Sequence, residues 1–259
     1  MVPPWVPDIT PPNPPPPDTP QQQPIPQQPM PSPIAPAGRF RGARLHLGNF
    51  SHGGDQREMR RGLRDYVRSG YGGRATAARR FGGTAVTAGA LHGALSAVAA
   101  GRSAAPGSPL DPTLLAGRSA REVMDAVVEA VRPPDGTQDA EASRAAIKDA
   151  LSELLTLFPE ADLLNLTDEQ RAAVVERFVA ADVFRRAALD VGKIIQDKAP
   201  TATAGVGRLK EMKDYIKQTV AAAFRKLRNA GNRVTAGRVS QVVRDALAET
   251  FQVFEAYIR

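Results

Sequence analysis

The chain has 259 residues, no cysteine and a net charge of +7, and 16 of its 23 prolines fall in residues 1–36, so its mean composition describes no single part of it. The missing cysteine excludes disulfides, thiolate zinc sites, iron–sulfur ligation and cysteine nucleophiles. No apolar run approaches the roughly 20 residues that span a bilayer, and Met1-Val2-Pro3-Pro4-Trp5 has neither the basic nor the apolar region of a signal peptide, so a soluble cytoplasmic protein without membrane contact is expected.

Residues 1–38 read as a disordered Pro/Gln-rich tail, because proline fixes φ, removes a backbone donor and favours extended polyproline II. Trp5 is the only tryptophan. With Val2, Pro3 and Pro4 it is either an anchor awaiting a pocket on a partner or a stray aromatic in an inert linker.

Charge then alternates by segment. Residues 37–102 hold 12 Arg against 3 acids, residues 103–199 hold 11 bases against 17 acids, and residues 200–259 hold 11 bases against 5 acids. Opposed blocks favour an oriented contact within the chain or with a partner.

Residues 39–105 read as a basic Gly/Arg-rich helical part. Asp55 and Glu58 resemble a capping pair, and Met59, Leu63, Tyr66 and Val67 recur at helical spacing up to Gly70. The opposite side of that helix carries Arg57, Arg60, Arg61, Arg64 and Arg68, either a contact surface or a solvated face neutralised by the acidic block. Gly70-Tyr71-Gly72-Gly73 and Gly82-Gly83, with Arg74, Arg79 and Arg80, could present amides and guanidinium groups to phosphate, or simply loop between helices. Thr84 to Ala100 reads as a buried Ala-rich helix in which Gly89 and Gly93 let a neighbour approach closely.

Residues 106–259 read as an α-helical bundle. Ser119 with Glu122 opens a helix that Pro133 stops. A second runs from Asp139 to Phe158 and buries Ile147, Leu151, Leu154, Leu155 and Phe158. Thr167 with Gln170 opens a third through Val174, Val175, Phe178 and Val183, extending towards Ile195. Leu209, Met212, Ile216, Val220, Phe224 and Leu227 line a long helix ending near Gly231. Thr235 is then expected to cap a last helix burying Val239, Val242, Val243, Leu247, Phe251, Phe254 and Ile258, so a four-residue break implies an antiparallel hairpin. The fold class is all-α, a helical bundle behind the tail.

Catalytic constellations are missing: there is no phosphate loop with Gly-Lys-Ser/Thr, no His-Glu-x-x-His and no Gly-x-Ser-x-Gly. Glu153, Glu160 and Asp162 read as solvated acids beside Pro159, and His46, His52 and His92 lack metal-ligand spacing. No catalytic residue, metal or cofactor is assigned.

The stretch Phe40 to Ala100, with Arg64-Asp65-Tyr66-Val67-Arg68-Ser69-Gly70-Tyr71-Gly72-Gly73, Arg79-Arg80-Phe81-Gly82-Gly83 and Thr87-Ala88-Gly89-Ala90-Leu91, resembles the B component of Qat anti-phage defence systems, as do Val2-Pro3-Pro4-Trp5 and Phe254-Glu255-Ala256-Tyr257-Ile258-Arg259. The resemblance implies a subunit without a catalytic domain, encoded beside an ATPase, a QueC-like enzyme and a TatD-like DNase. It also implies that the QueC-like partner modifies the N-terminus of the B protein. The family pattern opens with Met-Gly and a Gly/Ser-rich stretch, which this chain does not show, so no modification site is carried onto any residue.

Two functions follow as expectations. One is a defence subunit that docks the ATPase and presents its tail to the QueC-like enzyme; the other is a nucleic-acid-binding protein whose arginines hold phosphates without sequence preference. Few aromatics interleave with those arginines, which disfavours base stacking.

Overall fold

The computed structural model describes residues 38–102 and 109–257. The Pro/Gln-rich segment with Val2, Pro3, Pro4 and Trp5, and the expected core position Ile258, lie outside the described residues. Every regular element among the described residues is helical.

Helix α1 (Arg41–Ser51) leads to α2 (Gln56–Asp65), whose N-terminus is capped by the Asp55 carboxylate accepting from the backbone N–H of Arg57 and Glu58. Glu58 does not close the reciprocal half of a capping box; its side chain turns to His46 and Arg61 instead. The helix widens into a π turn, Tyr66–Gly70. Gly72 and Gly73 follow at φ +77° and +100°, in the left-handed region that L side chains avoid, and reverse the chain into α3 (Arg74–Arg80).

Helix α4 (Gly82–Ala99) is the expected Ala-rich helix but is buried on one face only, through Ala85, Ala88, Leu91 and Leu95, while Val86, Ala90 and Gly93 are exposed. A Cβ on Gly89 would lie 2.5 Å from Ser240 Oγ, so the chain at Ser240 does approach there; nothing lies within 4 Å of a Cβ on Gly93, and that glycine serves no close packing. A single turn, α5 (Pro112–Leu115), precedes α6 (Ala120–Val131), where Ser119 and Glu122 form both halves of a capping box.

Helix α7 (Gln138–Leu157) buries Ile147, Leu151 and Leu154, with Leu155 partly covered. Phe158 is 39% exposed rather than buried. Pro159 forces the preceding residue towards extended backbone (φ −127°, ψ 77°), which takes its ring off the apolar stripe. The second complete capping box, Thr167 with Gln170, starts α8 (Asp168–Ala187), which passes through a π turn (Ala188–Gly192) into α9 (Lys193–Lys198). Residues 178–183 of α8 are buried without interruption, all the way round the helix, because α4, α7 and α10 cover it on different sides.

The last two helices are α10 (Ala202–Asn229) and α11 (Val239–Glu255). The break between them is longer than four residues, and Thr235 is not a side-chain cap: Gly237, at φ +81°, holds Ala236–Arg238 in a turn and delays the helix to Val239. Tyr215 meets Phe254 and Lys226 meets Glu249, so residue numbers fall along α11 as they rise along α10, the antiparallel pairing expected of a hairpin. One apolar core runs from Phe40 to Phe254 and draws on the basic stretch and the C-terminal helices alike.

Candidate functional site

The eight arginines of residues 57–80 divide by environment. Arg57, Arg68, Arg74, Arg79 and Arg80 are exposed, while Arg60, Arg61 and Arg64 are partly buried. The guanidinium of Arg60 lies 5.4 Å from the centre of the Tyr215 ring and 5.7 Å from that of Tyr257, facing the C-terminal end of the fold. Arg61 donates to Glu58 at 2.7 Å and Arg64 to Asp65 at 2.9 Å. Helical spacing groups Arg57, Arg60, Arg61 and Arg64 of α2 and Arg68 of the π turn on one side, but only Arg60, Arg61 and Arg64 are partly buried against their partners.

The local acids are used within the block. His46 bonds Glu58 through Nδ1 at 2.8 Å and approaches Asp65 through Nε2 at 3.6 Å. The His46 hydrogen bond holds the Glu58 carboxyl below the usual carboxylate range, against the opposing effect of burial. Close approach at Gly42 makes room for this cluster, since a Cβ there would sit 2.7 Å from Asp65 Oδ2.

Behind the arginines lies an aromatic run. Tyr66 stacks on Phe40 (5.2 Å), Tyr71 meets both edge-on, and Phe81 bridges Tyr71 to Phe251. The hydroxyls of Tyr66 and Tyr71 both donate to Asp190 Oδ2, at 2.9 and 3.0 Å, tying the first π turn to the second. Burial pushes the Tyr71 phenol up to about 12 and that of Tyr66 well above its ordinary value. Gly70 is required here for contact: a Cβ would lie 2.3 Å from Phe40 Cδ1. The residues Tyr66, Gly70 and Tyr71, singled out in the sequence as a motif, therefore shape the core. Nothing in the spacing shows that their common partner is Asp190.

The glycine-rich loop has fewer free amides than its composition suggests, because Tyr71 N donates to Tyr66 O and Gly73 N to Val67 O. Glu153 is paired with Lys217 (2.8 Å) and lies near Arg177 (3.8 Å), while Asp162 accepts from the backbone of Leu164. No group of three or more His, Asp or Glu able to hold a metal occurs among the described residues. None of their helices is long and apolar enough to cross a membrane.

The charge blocks do meet within the fold, though not as the Arg block would require. Asp149 pairs with Arg185 and Lys213, Glu153 with Lys217, and Glu176 with Arg228, so the acidic segment is answered by its own bases and by the C-terminal basic segment. Among the described residues no acid of 103–199 pairs with Arg57, Arg68, Arg74, Arg79 or Arg80; only Arg57 has a carboxylate in range, Asp55 at 3.4 Å.

Fold and surface together define an all-α protein with a cationic exterior on its N-terminal helices. A family model described as Qat anti-phage system associated protein QatB matches residues 72–254, well over half of the chain. The chain belongs to this family, and with it to an anti-phage defence system. The match takes in Arg79–Gly83 and Thr87–Leu91 and runs to Phe254, while Arg64–Tyr71 and Val2–Trp5 lie before it. Neither the curated proteins nor the solved structures compared with the chain gave a match.

Proposed function

We propose that the chain is a non-catalytic subunit of its defence assembly, which docks the partner ATPase through Arg57, Arg68, Arg74, Arg79 and Arg80 and presents its Pro-rich N-terminal segment to the QueC-like enzyme. The observation that supports the docking is the set of five exposed arginines left unanswered by the acidic segment. Exposed ion pairs contribute only about 0–1 kcal/mol each and crowded like charges repel, so stability alone gives no reason to gather them. A complementary acidic partner removes that repulsion and speeds encounter.

The test is the triple substitution Arg57→Glu, Arg74→Glu and Arg79→Glu, all at exposed positions, with binding to the ATPase and to duplex DNA measured across a salt series. The proposal expects an unchanged fold and lost ATPase binding. Intact ATPase binding with lost DNA binding, steeply salt-dependent, would put the nucleic-acid reading in its place. Purified protein alone should not hydrolyse nucleoside triphosphates; turnover by a preparation free of the ATPase counts against a non-catalytic role.

A further inference from the structure

A second group of arginines, scattered through the sequence, converges in space. An open cleft of about 1090 Å³ lies between the middle of α4, the N-terminal half of α8, the end of α10 and the loop beyond it, and Arg102, Arg171, Arg177, Arg228 and Arg233 line it around His92. Three carboxylates, Asp168, Glu169 and Glu176, share the lining, so positive charge is in excess.

The cations are held in two ways. Arg171 is fixed by the Leu166 carbonyl and Asp168, Arg177 by the Ala173 carbonyl, and Arg228 by Glu176 at 2.9 Å. These contacts orient the guanidinium groups without using all their donors: the buried Nε of Arg171 has no acceptor, and that of Arg177 has only Glu153 at 3.8 Å. Arg102 and Arg233, both exposed, have no carboxylate within ion-pair range among the described residues. On the floor, burial and then the charge of Arg171 lower the pKa of His92, which leaves a neutral ring able to hydrogen-bond without adding charge.

Planar guanidinium forks match phosphate oxygens in pairs, and several forks around one cavity match linked phosphates better than a lone carboxylate. No Phe, Tyr or Trp is among the residues that line the cleft, so its chemistry favours phosphate oxygens over the faces of bases. Its volume lies just above the roughly 300–1,000 Å³ of small-molecule sites.

We propose that this cleft binds a small molecule through a chain of two or three linked phosphates, gripped by Arg102, Arg171, Arg228 and Arg233, with little regard for what the phosphates are attached to. The site is separate from the arginines of residues 57–80 and does not depend on the docking role given to them.

The experiment is calorimetric titration of the full chain, at low salt, with orthophosphate, tripolyphosphate, ATP and GTP. Tripolyphosphate, ATP and GTP should bind with similar affinity and far more tightly than orthophosphate; a strong preference for one nucleotide overturns recognition by phosphates alone. The double variant Arg102→Glu, Arg233→Glu should keep its melting temperature and weaken tripolyphosphate binding about tenfold or more. The pair Arg57→Glu, Arg74→Glu should leave it unchanged. No saturable binding at millimolar tripolyphosphate overturns the proposal, as does binding that R102E/R233E leaves intact. A short DNA duplex that binds through the same two arginines more tightly than tripolyphosphate would make the cleft a nucleic-acid groove and overturn it too.

Discussion

Thr84 and Asp182 meet in the centre of the protein, the hydroxyl donating to the carboxylate at 2.6 Å with both residues fully buried. The same carboxylate accepts from Ser143 Oγ at 2.6 Å and from Arg186 Nε at 3.1 Å, so one side chain joins α4, α7 and α8 where apolar packing would otherwise have to suffice. A buried charge persists because its partners replace water.

Removing that carboxylate leaves two buried hydroxyls and the Nε of Arg186 without their acceptor, while Arg186 keeps Asp139 through Nη1. Asp182→Ala should lower unfolding stability by about 3–5 kcal/mol, and Asp182→Asn, which keeps one acceptor oxygen, by about 1–3 kcal/mol. Urea denaturation measures both; a loss below about 1 kcal/mol for the alanine variant would falsify the central role of the cluster.

Two glycines predict opposite signs. A Cβ at Gly70 meets the buried Phe40 ring, so Gly70→Ala should cost about 1–3 kcal/mol by forcing the ring aside. Gly93 lies inside α4 with open space around it, and Gly93→Ala should gain about 0.5–1 kcal/mol from helix propensity. Thermal melts of the two single variants check the contrast.

Alkaline pH should unfold the protein through its tyrosines. The Tyr71 phenol, raised to about 12 chiefly by burial and further by Asp190, stays protonated when the unfolded chain ionises near pH 10. Its stabilisation is complete below pH 10 and is lost as pH rises through about 12, a loss of up to roughly 2–3 kcal/mol. Tyr66 faces the same carboxylate and shifts in the same direction. Tyr71→Phe should therefore flatten stability between pH 10 and 12, and an unchanged slope would remove Tyr71 from the explanation.

Arg57 and Arg60 should respond differently to charge reversal although they are neighbours on one helix face. Arg60→Glu places a negative charge beside two aromatic rings in exchange for a cation and should cost about 1–2 kcal/mol. Arg57→Glu, at an exposed position, should change stability by no more than about 0.5 kcal/mol. Equal losses in chemical denaturation would contradict the division of the arginines into partly buried and exposed.

Local chemistry made much of this fold readable. Ser119 with Glu122 and Thr167 with Gln170 declare helix starts because each cap is completed within four residues. The apolar spacing of Met212, Ile216, Val220 and Phe224 declares a buried face for the same reason. Gly237 carries a further local signal: a glycine between Thr235 and Val239 marks a turn that postpones the helix. Other features depend on partners far along the chain. Apolar spacing does not announce either π turn, and the hydrogen bonds that link the two, from Tyr66 and Tyr71 to Asp190, span more than a hundred residues. Spacing placed Arg60 beside Arg57, but only the fold brings Tyr215 and Tyr257 to it. The cleft arginines, spread from Arg102 to Arg233, form no pattern until α4, α8 and α10 are assembled.

The paired π turns set how the length of this chain can change. A π turn carries one residue more than the α turn it replaces, so it can lose a residue by closing to an α turn while the helix beyond keeps its phase. In Tyr66–Gly70 the exposed Arg68 or Ser69 is the residue to spare, and Tyr66 and Tyr71, then four apart, still share one face towards Asp190. A deletion from the α turns of α8 has no such slack and rotates everything beyond it by about 100° about the helix axis. The turn at Ala236–Arg238, closed by a glycine and exposed, has no phase to keep and should tolerate changes in length as well.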